Sequence, residues 1–218
     1  MRVLAVGAHP DDCELGAGAT LARHAASGDE VSILVLSAGA ASRGIEIPGS
    51  TPDALRQQAT DAAKVLGADV CVLEYPDQRF DAVDFLNLVK SVELILEQVK
   101  PERVYTHFAH DLNLDHRLTY QAVITACRPI GFPVLRIESF EVPSSTEWGE
   151  VAFRPTVFVD VAGHPLRRKL EALACYKGEM REAPHPRSAD AVKALSRWRG
   201  TTAGVMDAEA FVLVREVR

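Results

Sequence analysis

A chain of 218 residues, 47% hydrophobic and 25% charged, has the length and composition of a globular protein with a substantial core. Its formal net charge of −6 argues against a nucleic-acid binder, which usually carries a basic face. With nothing approaching ~18 consecutive apolar residues, no membrane span is expected, and four scattered cysteines without a C-x-x-C suit a reducing cytoplasm better than a disulfide framework.

The first run, Arg2–Gly7, is continuous and apolar and predicts a buried strand. Gly16–Ser27 predicts a helix ended by Gly28, and Glu30–Leu36 (EVSILVL) a second strand. Thr51-Pro52-Asp53 is a helix start, a capping hydroxyl ahead of proline at the first helical position; that helix runs to Leu66 and stops at Gly67. Asp69–Leu73 is a third strand, Asp84–Lys100 a long amphipathic helix stopped by Pro101, Arg103–Thr106 a fourth strand, and Asp115–Cys127 the next helix. This alternation implies an α/β, Rossmann-like fold, a mostly parallel sheet with helices on both faces. After Pro129 the rhythm changes: Leu135–Val142, Thr156–Val161 and Ala208–Arg215 read as strands, Pro165–Met180 as a helix, and VPSSTEWGE and APHPRS as loops. These pieces read as a C-terminal β/α elaboration, so residues 1–218 are expected to form a single domain.

Ligands of such sheets sit beyond the carboxyl ends of the strands, and there the sequence is unusual. Where a dinucleotide-binding enzyme places G-x-G-x-x-G, this chain places His9-Pro10-Asp11-Asp12-Cys13-Glu14. GAGATL lacks the third glycine and the preceding acids would repel a pyrophosphate, so NAD is not expected. Asp-Asp after a strand is ordinarily a helix cap. A second segment, THFAHDLNLDHR, changes that weighting, because it brings His107, His110, His116, Asp111 and Asp115 to the same edge if strands one and four are neighbours. His9 and Asp12, on a turn stiffened by Pro10, can converge on one cation with a histidine from the second segment. Two histidines and a carboxylate commonly hold catalytic zinc, and iron(II) accepts the same set. Asp11, beside Asp12, would be free to take a proton from water on the metal.

The stretch AHPDDCELGAGATLA resembles the A-H-P-D-D-x-E signature of the PIG-L/LmbE-like deacetylases, and DLNLDHR resembles that family's second metal motif. The resemblance covers residues 1 to about 127. It implies a Rossmann-like fold without a dinucleotide and a zinc-dependent hydrolase that removes the N-acetyl group from amino sugars or their conjugates. Carried over by position, it makes His9, Asp12 and His116 ligands of one zinc per chain, Asp11 the general base, and Asp115 a residue that orients an imidazole. Homo-oligomers are usual in soluble relatives. Where many members have a histidine three residues before the last ligand, this chain has Asn113, which can donate to an oxyanion but cannot shuttle a proton. The leaving amine must then be protonated by Asp11 or by a histidine such as His110 or His185.

Substrate-facing candidates are Arg43 after strand two, Asp77 and Arg79 after strand three, Trp148 as a stacking surface, and His185 between two prolines. A solvated arginine, a loop salt bridge, a buried tryptophan and a plain turn are the corresponding ordinary roles. A hydrolase of another N-acyl amide and a non-catalytic sugar-binding module are the competing readings.

Overall fold

The computed structural model describes residues 1–39, 51–132 and 134–218. Its strands are β1 (Arg2–Gly7), β2 (Glu30–Val35), β3 (Asp69–Val72), β4 (Arg103–His107), β5 (Arg136–Phe140), β6 (Val157–Asp160) and β7 (Ala208–Glu216). They form one sheet in the order β3-β2-β1-β4-β5-β7-β6. The first five of that order are parallel, while β7 runs antiparallel to both β5 and β6. The helices among the described residues are α1 (Asp12–Ala26), α2 (Pro52–Leu66), α3 (Phe85–Val99), α4 (Leu114–Ala126), α5 (His164–Leu173) and α6 (Ala189–Ala203).

The apolar run of β1 needs cover on both faces, because successive side chains point to opposite sides of a sheet. Val3 and Ala5 enter a cluster with Leu15 and Leu21 of α1, Ala62 of α2 and Leu173 of α5. Leu4 and Val6 enter another with Leu88 and Val92 of α3 and Ala122 and Val123 of α4. The ends of α2 follow the sequence signals: Thr51 Oγ1 accepts from Ala54 N–H at 3.2 Å, and Gly67 closes it in the left-handed region at φ 77°.

Two expectations fail beyond β5. The helix expected over Pro165–Met180 ends at Leu173, and α6 was not anticipated at all. Its terminal signals exist, since Ser188 caps Ala191 N–H at 3.1 Å and Gly204 is left-handed at φ 76°. What is missing is an apolar stripe: the buried residues of α6 are Val192, Ser196 and Gly200.

The chain turns one way from β1 to β2 and the other way from β4 to β5, so a crevice opens between β1 and β4 at their carboxyl ends. Helix α1 begins at that crevice and is fastened from behind by a buried ion pair. Lys169 Nζ lies 2.7 Å from Glu209 Oε1 and donates to Leu15 O at 2.7 Å, while Glu209 accepts from the N–H groups of Ala19 (3.0 Å) and Thr20 (2.6 Å). Gly16 lets this helix lie directly on the Phe140 ring, where a Cβ would collide. Lys169→Met leaves Glu209 buried without its cation and is expected to cost about 3 kcal/mol, read as a lowered midpoint in urea unfolding. An unchanged midpoint would show that the pair is not a fastening of α1.

Candidate metal centre

The turn after β1 is built around a strained residue. Asp11 sits at φ 84°, a left-handed conformation in which non-glycine residues are uncommon. Asp11 makes no side-chain bond to the helix start, so the ordinary capping role of an Asp-Asp pair is not the one it plays. His9 N–H instead donates to Asp12 Oδ2 at 2.8 Å, folding the turn so that the Asp12 carboxylate faces inward. Asp11 and Asp12 are both buried.

The second segment meets it across the crevice. β4 ends at His107, and Asn113 caps α4 by accepting from Asp115 N–H at 2.8 Å, which places His116 in the first helical turn. His9 Nδ1 and His116 Nε2 each lie 3.4 Å from Asp12 Oδ2. Tetrahedral zinc bonds of about 2.0–2.1 Å place neighbouring donor atoms roughly 3.4 Å apart, so the spacing suits one small divalent ion. Asp12 Oδ1 is buried and has no hydrogen-bond partner among the described residues, which is the acceptor a cation would satisfy. The outer nitrogens are held by carboxylates, as metal-binding imidazoles commonly are: Asp111 Oδ1 lies 3.1 Å from His116 Nδ1 and Asp115 Oδ2 lies 3.2 Å from His9 Nε2. Asp111 is itself fixed by the hydroxyls of Ser145 and Thr146 and by Asn113 N–H. The residues present fit a divalent cation.

The electrostatics agree with that fit. Burial alone would lower the His9 pKa, but hydrogen bonds donated to Asp115 and Asp12 outweigh it and push it up to about 10. Burial would raise the Asp12 carboxyl, yet the charge of His116 holds it well below the ordinary carboxylate range. His9 and His116 crowd a single buried carboxylate with positive charge, the role a metal would share. His107 stands apart. Its Nε2 accepts from Ala8 N–H at 2.9 Å, its ring stacks on His116 with centroids 4.0 Å apart, and burial pushes its pKa down to about 4. It is a neutral floor under the site, not a donor to it.

A cavity of about 130 Å³ opens over these residues, lined among others by Asp11, Asp77, Gln78, Asn113, Ser144 and Arg187. Arg187 Nη1 donates to Asp11 Oδ2 at 2.7 Å, and its Nε donates to Ser144 Oγ at 2.8 Å. Burial raises the Asp11 carboxyl well above the ordinary range, and the Arg187 guanidinium works against that rise. Behind the turn, the Tyr176 hydroxyl donates to Glu14 Oε1 at 3.0 Å, and burial lifts the Glu14 carboxyl to about 7.

The residues expected from the sequence separate into two groups. His9, Asp11, Asp12, Asn113, Asp115 and His116 are brought together, and Asp77 joins them with Oδ1 3.2 Å from His9 Nε2. Others do not line the cavity. His110 is exposed and packs edge-on against Phe108. Trp148 is 60% exposed on a short turn outside the lining, neither buried nor facing the site. Arg79 begins a 3₁₀ turn, also outside the lining. His185 is exposed too, but its Nδ1 accepts from Arg187 N–H at 3.0 Å and so shapes the turn that delivers Arg187. Arg43 lies outside the described residues. Sequence reasoning missed Arg187 and Gln78 and gave Asp111 no role of its own; for Arg187 the rigid APHPRS turn was the available signal.

Comparison with known proteins decides the family. Residues 4–127 match the PIG-L family model, described as GlcNAc-PI de-N-acetylase. The chain belongs to the PIG-L family. It is 33% identical over 184 residues to the uncharacterized deacetylase YaiS of Escherichia coli K12, covering 80% of this chain and 90% of that one. It is 28% identical over 196 residues to 4-oxalmesaconate hydratase of Pseudomonas putida KT2440, covering 81% of this chain and 73% of the relative. Among solved structures, the conserved protein TT1542 of Thermus thermophilus superposes with a TM-score of 0.80 at 26% identity, covering 100% of this chain and 97% of its own. Relatives of this chain thus include both a deacetylase and a hydratase, and the choice between those chemistries falls to the site. Among the described residues, no helix is long and apolar enough to cross a membrane.

Two outcomes are expected at this centre. The wild type should bind a single divalent ion by metal analysis, and His116→Ala should bind none under the same conditions; undiminished metal would remove His116 from the ligand set. Asn113→Ala should lose about 1 kcal/mol of stability through the lost α4 cap, whereas Asn113→Asp should keep it, measured by thermal unfolding.

Proposed function

We propose that this PIG-L protein hydrolyses an N-acyl amide, removing the acetyl group from an amino sugar or amino-sugar conjugate. His9, Asp12 and His116 would hold zinc or iron(II). When bound, that ion supplies Lewis acidity toward the acyl oxygen and makes water a stronger acid. The observation that carries the reading is Asp11: a buried carboxylate beside the donor set, held by Arg187 at 2.7 Å and facing the same cavity.

Asp11 accepts the proton as the water oxygen bonds to the acyl carbon. As the carbon–nitrogen bond breaks, the same carboxyl returns that proton to the departing amine, giving acetate and the free amino sugar. A proton affinity raised by burial and restrained by Arg187 suits a group with both duties. Among the described residues, His9 and His116 are the histidines that line the cavity, which leaves neither His110 nor His185 as the acid. Asn113 lines the cavity; one hydrogen of its side-chain N–H₂ is donated to Gln78 Oε1 at 3.2 Å, and the other is left for an oxygen that gains charge.

The hydratase chemistry of one relative is less well supported. Asp11, Asp77 and Glu179 all face the cavity, and the cationic side chain lining it among the described residues, Arg187, is already engaged by Asp11 and Glu179. Such walls suit a neutral or cationic amino sugar better than a polycarboxylate.

Acetate release from a panel of N-acetylated amino sugars, by zinc-loaded protein, tests the proposal. Asparagine tolerates the left-handed backbone at position 11, so Asp11→Asn keeps the turn; it should lose roughly 10²- to 10⁴-fold in kcat with metal content unchanged. Silence of the wild type across the panel, with metal bound, would remove the sugar substrate. Arg187→Ala should lower kcat roughly 10- to 100-fold with little change in KM, and Arg187→Lys should recover part of it. A rise in KM alone would mean that Arg187 binds substrate and does not position Asp11.

A further inference from the structure

Four non-glycine residues among those described adopt positive φ: Asp11, Gln78, Lys100 and Ser144. Three of them, Asp11, Gln78 and Ser144, line the one cavity over the metal centre. Strained backbone persists where surrounding structure forces it, and it concentrates at functional sites. Asp11 is accounted for by its place beside the donor set, and Ser144 by its bond to Arg187. Gln78, at φ 54°, is not yet accounted for.

Its carboxamide is oriented by a chain of bonds that starts at a backbone donor. Asp115 N–H can only donate, so the Asn113 atom that meets it at 2.8 Å must be Oδ1. Asn113 Nδ2 therefore points the other way, and it donates to Gln78 at 3.2 Å. The Gln78 atom that accepts must be Oε1, which leaves the N–H₂ of this exposed side chain on the His9 side of the cavity lining. There, among the described residues, it has one polar neighbour within range, His9 Nε2 at 3.4 Å. That nitrogen faces Asp115 Oδ2 and Asp77 Oδ1, both at 3.2 Å, and so carries its own hydrogen. Two N–H groups facing each other do not bond. The Gln78 donors are aimed into the cavity without an acceptor on His9.

We infer that Gln78 is a specificity-determining binding residue, whose N–H₂ donates to an acceptor oxygen of the N-acyl sugar, a carbonyl or a ring hydroxyl. Asn113 is its positioning residue. The inference rests on the deacetylase reading for the identity of the ligand. It gives the strained backbone at position 78 a use, since the left-handed turn is what swings this side chain over the metal donors.

The test uses the full-length metal-loaded protein with N-acetylglucosamine as the probe. Gln78→Ala and Gln78→Glu, which accepts from Asn113 but cannot donate, should each raise KM roughly three- to tenfold with kcat and metal content near wild type. Gln78→Gly relieves the backbone and should raise the melting temperature while raising KM, a pairing that a merely structural residue would not give. Independently of turnover, the side-chain amide resonance lost in Gln78→Ala should shift in the wild type when the sugar is titrated in. Unchanged KM in all three variants beside an active wild type would overturn the assignment, as would loss of metal with KM unchanged, which would make Gln78 a support for His9. A wild type that releases no acetate would fail the deacetylase reading instead. The amide resonance then decides Gln78 alone, a shift upholding it and no shift overturning it.

Discussion

A carboxylate without solvent, Asp12, is the constraint around which the carboxyl edge of this sheet is organised. Its Oδ2 has three imidazoles within 3.4 Å, those of His9, His107 and His116, and it also receives the backbone N–H of His9. A buried charge is tolerated only where it is paired and hydrogen-bonded. That requirement ties β1 to β4 through their loops, fixes where α1 and α4 begin, and leaves Oδ1 as an acceptor for a cation. The outer carboxylates Asp111 and Asp115 extend the same logic by one layer, each neutralising the far side of an imidazole. Charge alternates outward from the centre, so the site can hold an ion without leaving a lone charge buried.

The segments that close the cavity come from the other end of the chain. Arg187 enters from the turn between α5 and α6, Ser144 and Ser145 from the loop after β5, and Glu179 from the turn after α5. The PIG-L family match ends at residue 127, before all of them. The N-terminal half thus carries the His9, Asp12 and His116 cluster and Asp11, while the C-terminal part supplies Arg187, which holds Asp11, and residues that shape the walls. This division suits a chain whose relatives include a deacetylase and a hydratase: the His/Asp cluster follows β1 and β4, and what surrounds it sits on later, less regular elements.

Strain follows the same geography. Asp11, Gln78 and Ser144 hold side chains over one cavity from left-handed backbones. Each is secured by bonds made elsewhere: Arg187 grips Asp11 and Ser144, and Asn113 grips Gln78 while capping α4. Asn113 therefore cannot be read simply as a histidine replaced, because its carbonyl oxygen is committed to the helix and only its amide faces the site.

Much of this was legible in the sequence. The apolar run of β1, the cap at Thr51 and the stop at Gly67 are local signals, and local physics settles them. The pairing of His9-Pro10-Asp11-Asp12 with DLNLDHR was legible too, because strand–helix alternation already implied that both segments end at one sheet edge. What the sequence could not supply depends on contacts far apart in the chain. Nothing near Arg187 names Asp11, 176 residues away, as its partner. Likewise nothing near Lys169 marks it as buried against Glu209 instead of solvated. Helix α6 lacks an apolar stripe because it buries little, and His110, Trp148 and Arg79, chemically able in sequence, are exposed and stand outside the cavity lining. The sequence by itself determined the strand–helix order as far as α4 and the set of His and Asp residues offered at the sheet edge, since each follows from residue type and short-range spacing. Tertiary structure alone decided which side chains converge on that set, because convergence is a property of the folded sheet edge and not of any one segment.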